Sequence, residues 1–589
     1  MLRLLLAAVV FVGGVVMSGD PSEALNQVSG GAMAHLSGVA RGADRPVGPA
    51  FQSRSAVLAK NGVVATSHPL ATQAGLDVLK SGGNAADAAI AANAMLGLVE
   101  PMSCGIGGDL FVIYWDARTK KLYGLNASGR SPYRLNRKVF EEKKLEEIPV
   151  DGPLSWSVPG CVSGWEALNK RFGTRPLGEL LEPAMATASE GFPVTEVIAH
   201  HWKGAEEALK KWPESASTYL FNLEHAPQFG EVFRNPRLAA SYRLIAEGGA
   251  EAFYKGPIAR DIVAYSDANG GYFSLDDFAD HKVEWVDPVS TTYRGYEVWE
   301  LPPNGQGIAV LEMLNVLEGN DLKAMEFGSA EYLHVLVEAK RLAFADRARY
   351  YADPAFGELP VEELISKEYG ARQRTRIDRR RAAEDVPAGD VRLSRGGDTV
   401  YLTVVDKNRN CCSLIQSIYY GFGSKVTPGN VGFVLQNRGA LFALDAEHPN
   451  RLEPHKRPFH TIIPAMVTKE GKPWFCFGVM GGDMQPQGHV QVLVNLIDFG
   501  MNAQAAGDAP RVQHVGSATP TGKPADGKGK VLAESGFADA VLDKLRAKGH
   551  TVERGEGGFG GYQGILIRWE EGVLEAGSES RNDGAAAGY

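Results

Sequence analysis

A chain of 589 residues with a net charge of −9 and no basic stripe interleaved with aromatics excludes nucleic-acid binding as its main role. Its 44% hydrophobic content is ample for a large buried core. Its five cysteines, two of them adjacent, form neither a disulfide framework nor a metal-binding CxxC pair.

In chain order, Met1-Leu2-Arg3 precedes an apolar stretch from Leu4 to Met17. A basic start followed by a short apolar segment has the layout of a secretory signal, and falls short of the ~20 apolar residues a membrane span needs. Residues 1–25 are therefore expected to be a signal peptide or N-terminal anchor, placing the protein in the periplasm or outside the cell. Residues 26–55, rich in Ser, Gly and Ala, are expected to be a flexible segment. Beyond residue 60 no linker or internal repeat divides the chain, which favours one interwoven α/β unit.

Residues 67–99 read as helical, with an amphipathic segment at 71–79 and an alanine-rich helix at 85–98 capped by Asn84. Residues 110–115 and 121–125 form a hairpin. Residues 160–350 are mainly helical, including 330–351, with short strands near 293–301. The arginine-rich run at 372–381 reads as a solvated linker. Strand signals follow at 399–418, 431–437, 461–468 and 473–479, then a helix at 485–500, and strands at 531–533 and 564–568 around a helix at 537–548.

The chemistry concentrates at Gly396-Gly397-Asp398-Thr399, which leads into a β-branched strand. A threonine hydroxyl is a poor nucleophile without a base held against it. Cleaving the bond before it supplies one, because the new α-amine has a reference pKa of roughly 7.7–8.0. A tight turn at Lys407-Asn408-Arg409 places Asp406 opposite Asn410 and Thr399 opposite Ser417, so Ser417 can hydrogen-bond the nucleophile. A slip of one residue puts Ile418 there instead. Gly481-Gly482, between an apolar strand and a helix, allows backbone N–H groups to approach a reacting carbonyl, although an isolated Gly-Gly there is more commonly a tight strand-to-helix turn.

These segments, together with Ser81-Gly82-Gly83-Asn84-Ala85-Ala86-Asp87-Ala88, Glu100-Pro101-Met102-Ser103-Cys104-Gly105-Ile106-Gly107-Gly108, Ser157-Val158-Pro159-Gly160 and the ending Arg581-Asn582-Asp583-Gly584-Ala585-Ala586-Ala587-Gly588-Tyr589, resemble the gamma-glutamyltranspeptidase (glutathione hydrolase) family of N-terminal-nucleophile hydrolases. The resemblance runs from about Ser67 to Tyr589. It implies an α/β (α+β) fold, the four-layer αββα sandwich, and a precursor that cuts itself between Asp398 and Thr399. The products are a large subunit (56–398) and a small catalytic subunit (399–589) that remain together as a heterodimer. It further implies that Thr399 attacks, Ser417 orients its hydroxyl, and the Gly481 and Gly482 amides hold the oxyanion. Water or an acceptor amine then resolves the acyl-enzyme. No cofactor or metal enters this chemistry, and the partner is a small molecule such as glutathione or a related γ-glutamyl or acyl amide.

The substrate end departs from the family pattern. Counted without gaps from Thr399, Tyr419 stands at the family's asparagine position and Leu441 at its acidic position, while Arg438 replaces a neutral residue. His460-Thr461 replaces a serine pair. Ser128 stands where a carboxylate-binding arginine is expected, with Arg130 two residues on. Losing an acid and gaining an arginine disfavours a substrate ammonium and favours a carboxylate. Arg130, Tyr419, Arg438, His460 and Thr461 are thus the candidate substrate-binding residues. Three functions are compatible: a γ-glutamyl hydrolase or transferase, an amidohydrolase acting on a glutaryl- or oxamate-like acyl group, and an inactive scaffold that binds without cutting. The glycine run at 557–561 lacks the strand and helix of a dinucleotide loop, and His200-His201 lacks partners at metal spacing. Cys411 and Cys412 read as structural mid-strand residues.

Overall fold

The computed structural model describes residues 45–387 and 398–589. The expected signal segment, the Gly396-Gly397 turn and the side chains of Asp398 and Thr399 lie outside the described residues. Strand Asp398–Val405 and strand Cys411–Tyr419 form the expected hairpin. The turn closes with the Asp406 amide on the Asn410 carbonyl (3.1 Å) and Arg409 at φ +66°. Asp406 fixes it by accepting from the Asn408 amide (2.8 Å) and the Asn410 amide (3.0 Å).

This hairpin is central in a seven-stranded antiparallel sheet. The spatial order is Ala585–Gly588, Val63–Thr66, Asp398–Val405, Cys411–Tyr419, Asp109–Asp116, Lys121–Ala127 and Glu284–Val286. A second antiparallel seven-stranded sheet packs against it, in the order Val57–Ala59, Val573–Ser578, Gly561–Arg568, Lys472–Met480, Ala465–Lys469, Tyr296–Glu300 and Val289–Tyr293. Each strand of the hairpin has a neighbour on both edges, the outer edge of Asp398–Val405 pairing along Thr403–Val405, and both faces are buried: Val400, Leu402 and Val404 against one layer, Tyr401 and Thr403 against the facing sheet.

Helices cover both outer faces. On one side lies helix Ala85–Val99, whose start is a capping box: the Asn84 side chain accepts from the Ala86 and Asp87 amides, and Asp87 returns a bond to the Asn84 amide. Its alanine-rich surface is buried all round, which permits close contact with helix Pro69–Lys80 and with the sheet. On the other side, helices Ile308–Glu318, Ala330–Tyr350 and Met484–Ile497 enclose a second core. The result is the four-layer αββα sandwich.

Two expected elements differ. Residues 431–437 form no strand; their amides bond instead to loop carbonyls, Leu435 to Val426 (3.1 Å) and Gln436 to Gly107 (2.9 Å). The arginine-rich run begins in helix Lys367–Arg374 and stays largely exposed, with Arg379 docked on the Asn320 side chain (2.8 Å).

Candidate active site

The hairpin register runs from Val405↔Cys411 to Val400↔Gln416 without a slip, then breaks: Asp398 pairs with Tyr419. One residue, Thr399, therefore stands opposite two, Ser417 and Ile418. Such a bulge re-aims side chains at the end of a ladder, and bulges concentrate beside active sites. Tyr419, just past it, is held at φ +81°, a conformation costing a non-glycine residue on the order of 1–3 kcal/mol. On its other edge Ser417 pairs with Asp109. Close approach there explains the glycine motif at 105–108, since a Cβ on Gly108 would lie 2.2 Å from the Ser417 carbonyl oxygen.

Ser417 is buried, and its Oγ accepts from the Tyr419 amide (2.9 Å) and from Arg438 Nη2 (2.8 Å). Arg438 opens the short 3-10 turn Arg438–Leu441. Its Nη1 donates to Thr461 Oγ1 (2.8 Å), and its guanidinium lies 4.6 Å from the centre of the Tyr419 ring. Its Nε has no hydrogen-bond partner among the described residues. Burial lowers the Arg438 pKa to about 10, with the Asp109 charge opposing that shift.

Asp109 is the counter-charge. Its Oδ1 accepts from the Gly129 amide (3.0 Å), the Gly160 amide (3.1 Å) and Gln436 Nε2 (2.9 Å). Burial raises its pKa to about 6 in spite of Arg438 and these donors. His460 lies with Nε2 3.0 Å from Asp109 Oδ2, and its Nδ1 accepts from the Ile462 amide (3.3 Å). The proton therefore sits on Nε2. Burial, and then the Arg438 charge, push the His460 pKa well below its usual value, so the ring is neutral at neutral pH.

Gly481 (φ +115°) and Gly482 (φ +55°) turn the chain from strand Lys472–Met480 into helix Met484–Ile497. Gln306 Nε2 clamps this turn by donating to the Gly482 carbonyl (2.9 Å) and to the Thr461 carbonyl (2.6 Å). Gln306 is held in turn by Arg347, which also pairs with Asp483 (2.6 Å). Ser417, Arg438, Thr461, Gln306 and the diglycine turn thus form one connected frame. Gly481 and Asp483 line a cleft of about 1890 Å³ that also holds Tyr420, Ser103 and Arg581 at its wall.

The structure accordingly joins Ser417, Tyr419, Arg438, His460 and Thr461 around Asp109. Arg130 has other partners: its guanidinium pairs with Asp353 (3.1 Å) and Glu284 (3.3 Å), and donates to the His455 carbonyl (3.1 Å). Ser128 is buried against Asn126 (2.7 Å). Asp109, Gln306 and Arg347 were not singled out by sequence reasoning. Leu441 is a buried core residue, and the next acids along the chain, Asp445 and Glu447, are exposed on a turn.

Stacked antiparallel sheets between helices, with a threonine-led hairpin at their centre, define the class of N-terminal-nucleophile hydrolases. A solved cephalosporin acylase from Bacillus halodurans superposes with a TM-score of 0.85 at 42% identity, covering 93% of this chain and 98% of that one. The chain belongs to the gamma-glutamyltranspeptidase family, whose model matches residues 71–589. It is 41% identical to the glutathione hydrolase-like YwrD proenzyme of Bacillus subtilis over 90% of this chain and 99% of that protein. It is 31% identical to the glutathione hydrolase proenzyme of Escherichia coli, over 90% and 93% respectively. The chain is therefore an enzyme of this hydrolase family, similar to proteins made as proenzymes.

Proposed function

We propose that the protein is an N-terminal-threonine amidohydrolase for amides whose acyl group ends in a carboxylate, and that it does not require the α-ammonium of a γ-glutamyl donor. Cleavage between Asp398 and Thr399 frees the Thr399 amine. The Thr399 hydroxyl attacks the amide carbonyl while that amine takes its proton and passes it to the departing amine. The Gly481 and Gly482 amides hold the oxyanion, Ser417 orients the nucleophile, and water releases the acid from the acyl-enzyme.

The observation that carries this specificity is Arg438. It is a buried cation whose direct side-chain hydrogen-bond partners are the hydroxyls of Ser417 and Thr461, and its Nε is left over. Leu441 at the position of the family's acid is apolar core, and the next acids along the chain, Asp445 and Glu447, are exposed on a turn. Similarity to a cephalosporin acylase as well as to glutathione hydrolases fits a shifted acyl preference.

The test is turnover of a γ-glutamyl anilide beside its glutaryl analogue by one purified, matured sample. An unpartnered buried ammonium costs on the order of 1–3 kcal/mol, so glutaryl turnover should equal or exceed γ-glutamyl turnover, and Arg438→Ala should lower it. A γ-glutamyl preference of about a hundredfold or more, retained in Arg438→Ala, would contradict the proposal.

A further inference from the structure

Helix Ala85–Val99 ends at Glu100, which is 3% exposed and yet lines the cleft together with Ser67 and Gly481. Ser67 Oγ donates to the Glu100 carboxylate. The pair joins segments from opposite edges of strand Asp398–Val405. On one edge, the register Val405↔Val63 and Thr403↔Ala65, carried two residues further, sets Ser67 opposite Tyr401. On the other edge, the Ile418 and Phe422 amides bond to the carbonyls of Ser103 (3.4 Å) and Met102 (2.7 Å), just past Glu100. The Ser67–Glu100 bridge therefore spans the end of the strand at which the Thr399 backbone stands.

The titratable groups around this end of the strand come from several elements. His68, beside Ser67, accepts from the Leu70 amide through Nδ1 (3.2 Å), and burial lowers its pKa to about 4, so it is neutral at neutral pH. Burial, and then the Glu100 charge, keep the Cys104 thiol protonated. Burial also keeps the phenols of Tyr401 and Tyr419 un-ionised. On the far edge Arg438 faces Ser417, with Asp109 as its counter-charge. In the cleft wall Asp483 pairs with Arg347 (2.6 Å) and Asp583 accepts from the Val197 amide (3.1 Å). Glu196, Lys340, Asp526, Glu556 and Arg581 also line it.

Cleavage turns the Thr399 amide nitrogen into an amine, which becomes cationic when it takes the hydroxyl proton. A carboxylate held beside it stabilises that cation, as the acid of a catalytic triad stabilises the imidazolium. Resting on the acyl-transfer reading above, we infer that Glu100 is a positioning residue that receives the α-amine freed at Thr399, with Ser67 holding its carboxylate in place. Glu100 then favours the ammonium form, and so sets the pH below which the general base is lost.

The experiment is competitive acetylation of the matured two-subunit enzyme across pH, read by mass mapping of the small fragment. It titrates the amine without turnover, so it remains readable whatever acyl group the enzyme prefers. The other groups named are the same in every variant, so a difference between variants reports the Glu100 carboxylate. Glu100→Gln should lower the pH at which the amine titrates by about one pH unit or more, and the acid limb of kcat/KM should move with it. Glu100→Asp, which keeps the charge, should titrate close to wild type. Ser67→Ala should give a smaller shift in the same direction, and it decides the matter if Glu100→Gln stays uncut. An unshifted amine on a fragment beginning at Thr399 would overturn this inference alone, whereas a fragment beginning elsewhere would overturn the acyl-transfer reading with it.

Discussion

Gly482 is where a single residue controls most of the proposed chemistry. At φ +55° it occupies the left-handed region, which a Cβ makes costly, and its carbonyl is fixed by Gln306. The Gly482→Ala enzyme should therefore keep its fold while its amide moves out of line. One oxyanion donor contributes roughly 10²–10³ in rate. Steady-state kinetics should show that loss in kcat with KM changed by less than about threefold; wild-type kcat in a correctly matured Gly482→Ala enzyme would remove the loop from the mechanism. Arg438 shows how a residue becomes informative only through its neighbours. As a lone arginine it reads as a surface or structural ion pair; in place it is buried between two hydroxyls and an aromatic face, with Asp109 as its counter-charge.

At the scale of elements, what is local was legible. The alternation of strand Asp398–Val405 and the three-residue turn determined the hairpin register, and the Asn84 cap determined where the alanine-rich helix begins. The apolar run at 431–435 misled, because a buried run has the same composition whether or not a neighbouring strand takes its hydrogen bonds. Strand Ala585–Gly588 gave no signal, since Ala-Ala-Ala-Gly has little β-propensity. It forms because its backbone extends the sheet beside Val63–Thr66, and because Tyr589 anchors it through the Leu79 carbonyl (3.0 Å). The frame around Gly482 was illegible for another reason. Gln306, Arg347 and Thr461 are far apart in sequence, and only tertiary packing brings them to one turn. The same packing shows why Arg130, adjacent in sequence to the expected position, is committed to Asp353 and Glu284.

Across the whole molecule the two expected subunits share one sheet. Val63–Thr66 and Asp109–Asp116 flank the hairpin, and Ala585–Gly588 lies beyond Val63–Thr66. A cut before Thr399 detaches only the Asp398 end of the hairpin ladder and leaves the pairings with Val63–Thr66 and Asp109–Asp116 intact, so cleavage alone gives no reason for the pieces to separate. The C-terminal region is tied in by Glu579, which pairs with Arg511 (3.0 Å) and Arg581 (2.7 Å). Burial alone would raise the Glu579 pKa, but the two guanidiniums outweigh it and hold it at about 2 against an ordinary 4.5. A depressed carboxylate pKa stabilises the fold above the unfolded value and loses that contribution as pH falls toward the folded one. The shift corresponds to a contribution on the order of 3 kcal/mol at neutral pH. Glu579→Gln should thus lower Tm most at pH 7, and the gap to wild type should begin to close below pH ~4.5; a gap independent of pH would contradict this assignment.

Thr399 should become the N-terminal residue of the small subunit and carry the acyl group. Rapid quenching of the matured enzyme with a slow glutaryl donor, followed by mass mapping of the fragments, tests it directly. The predicted result is a small fragment beginning at Thr399 with the acyl group esterified to its hydroxyl, and a Thr399→Ala chain that stays uncut and unlabelled. A fragment beginning at any other residue, or an acyl group carried elsewhere, would contradict it.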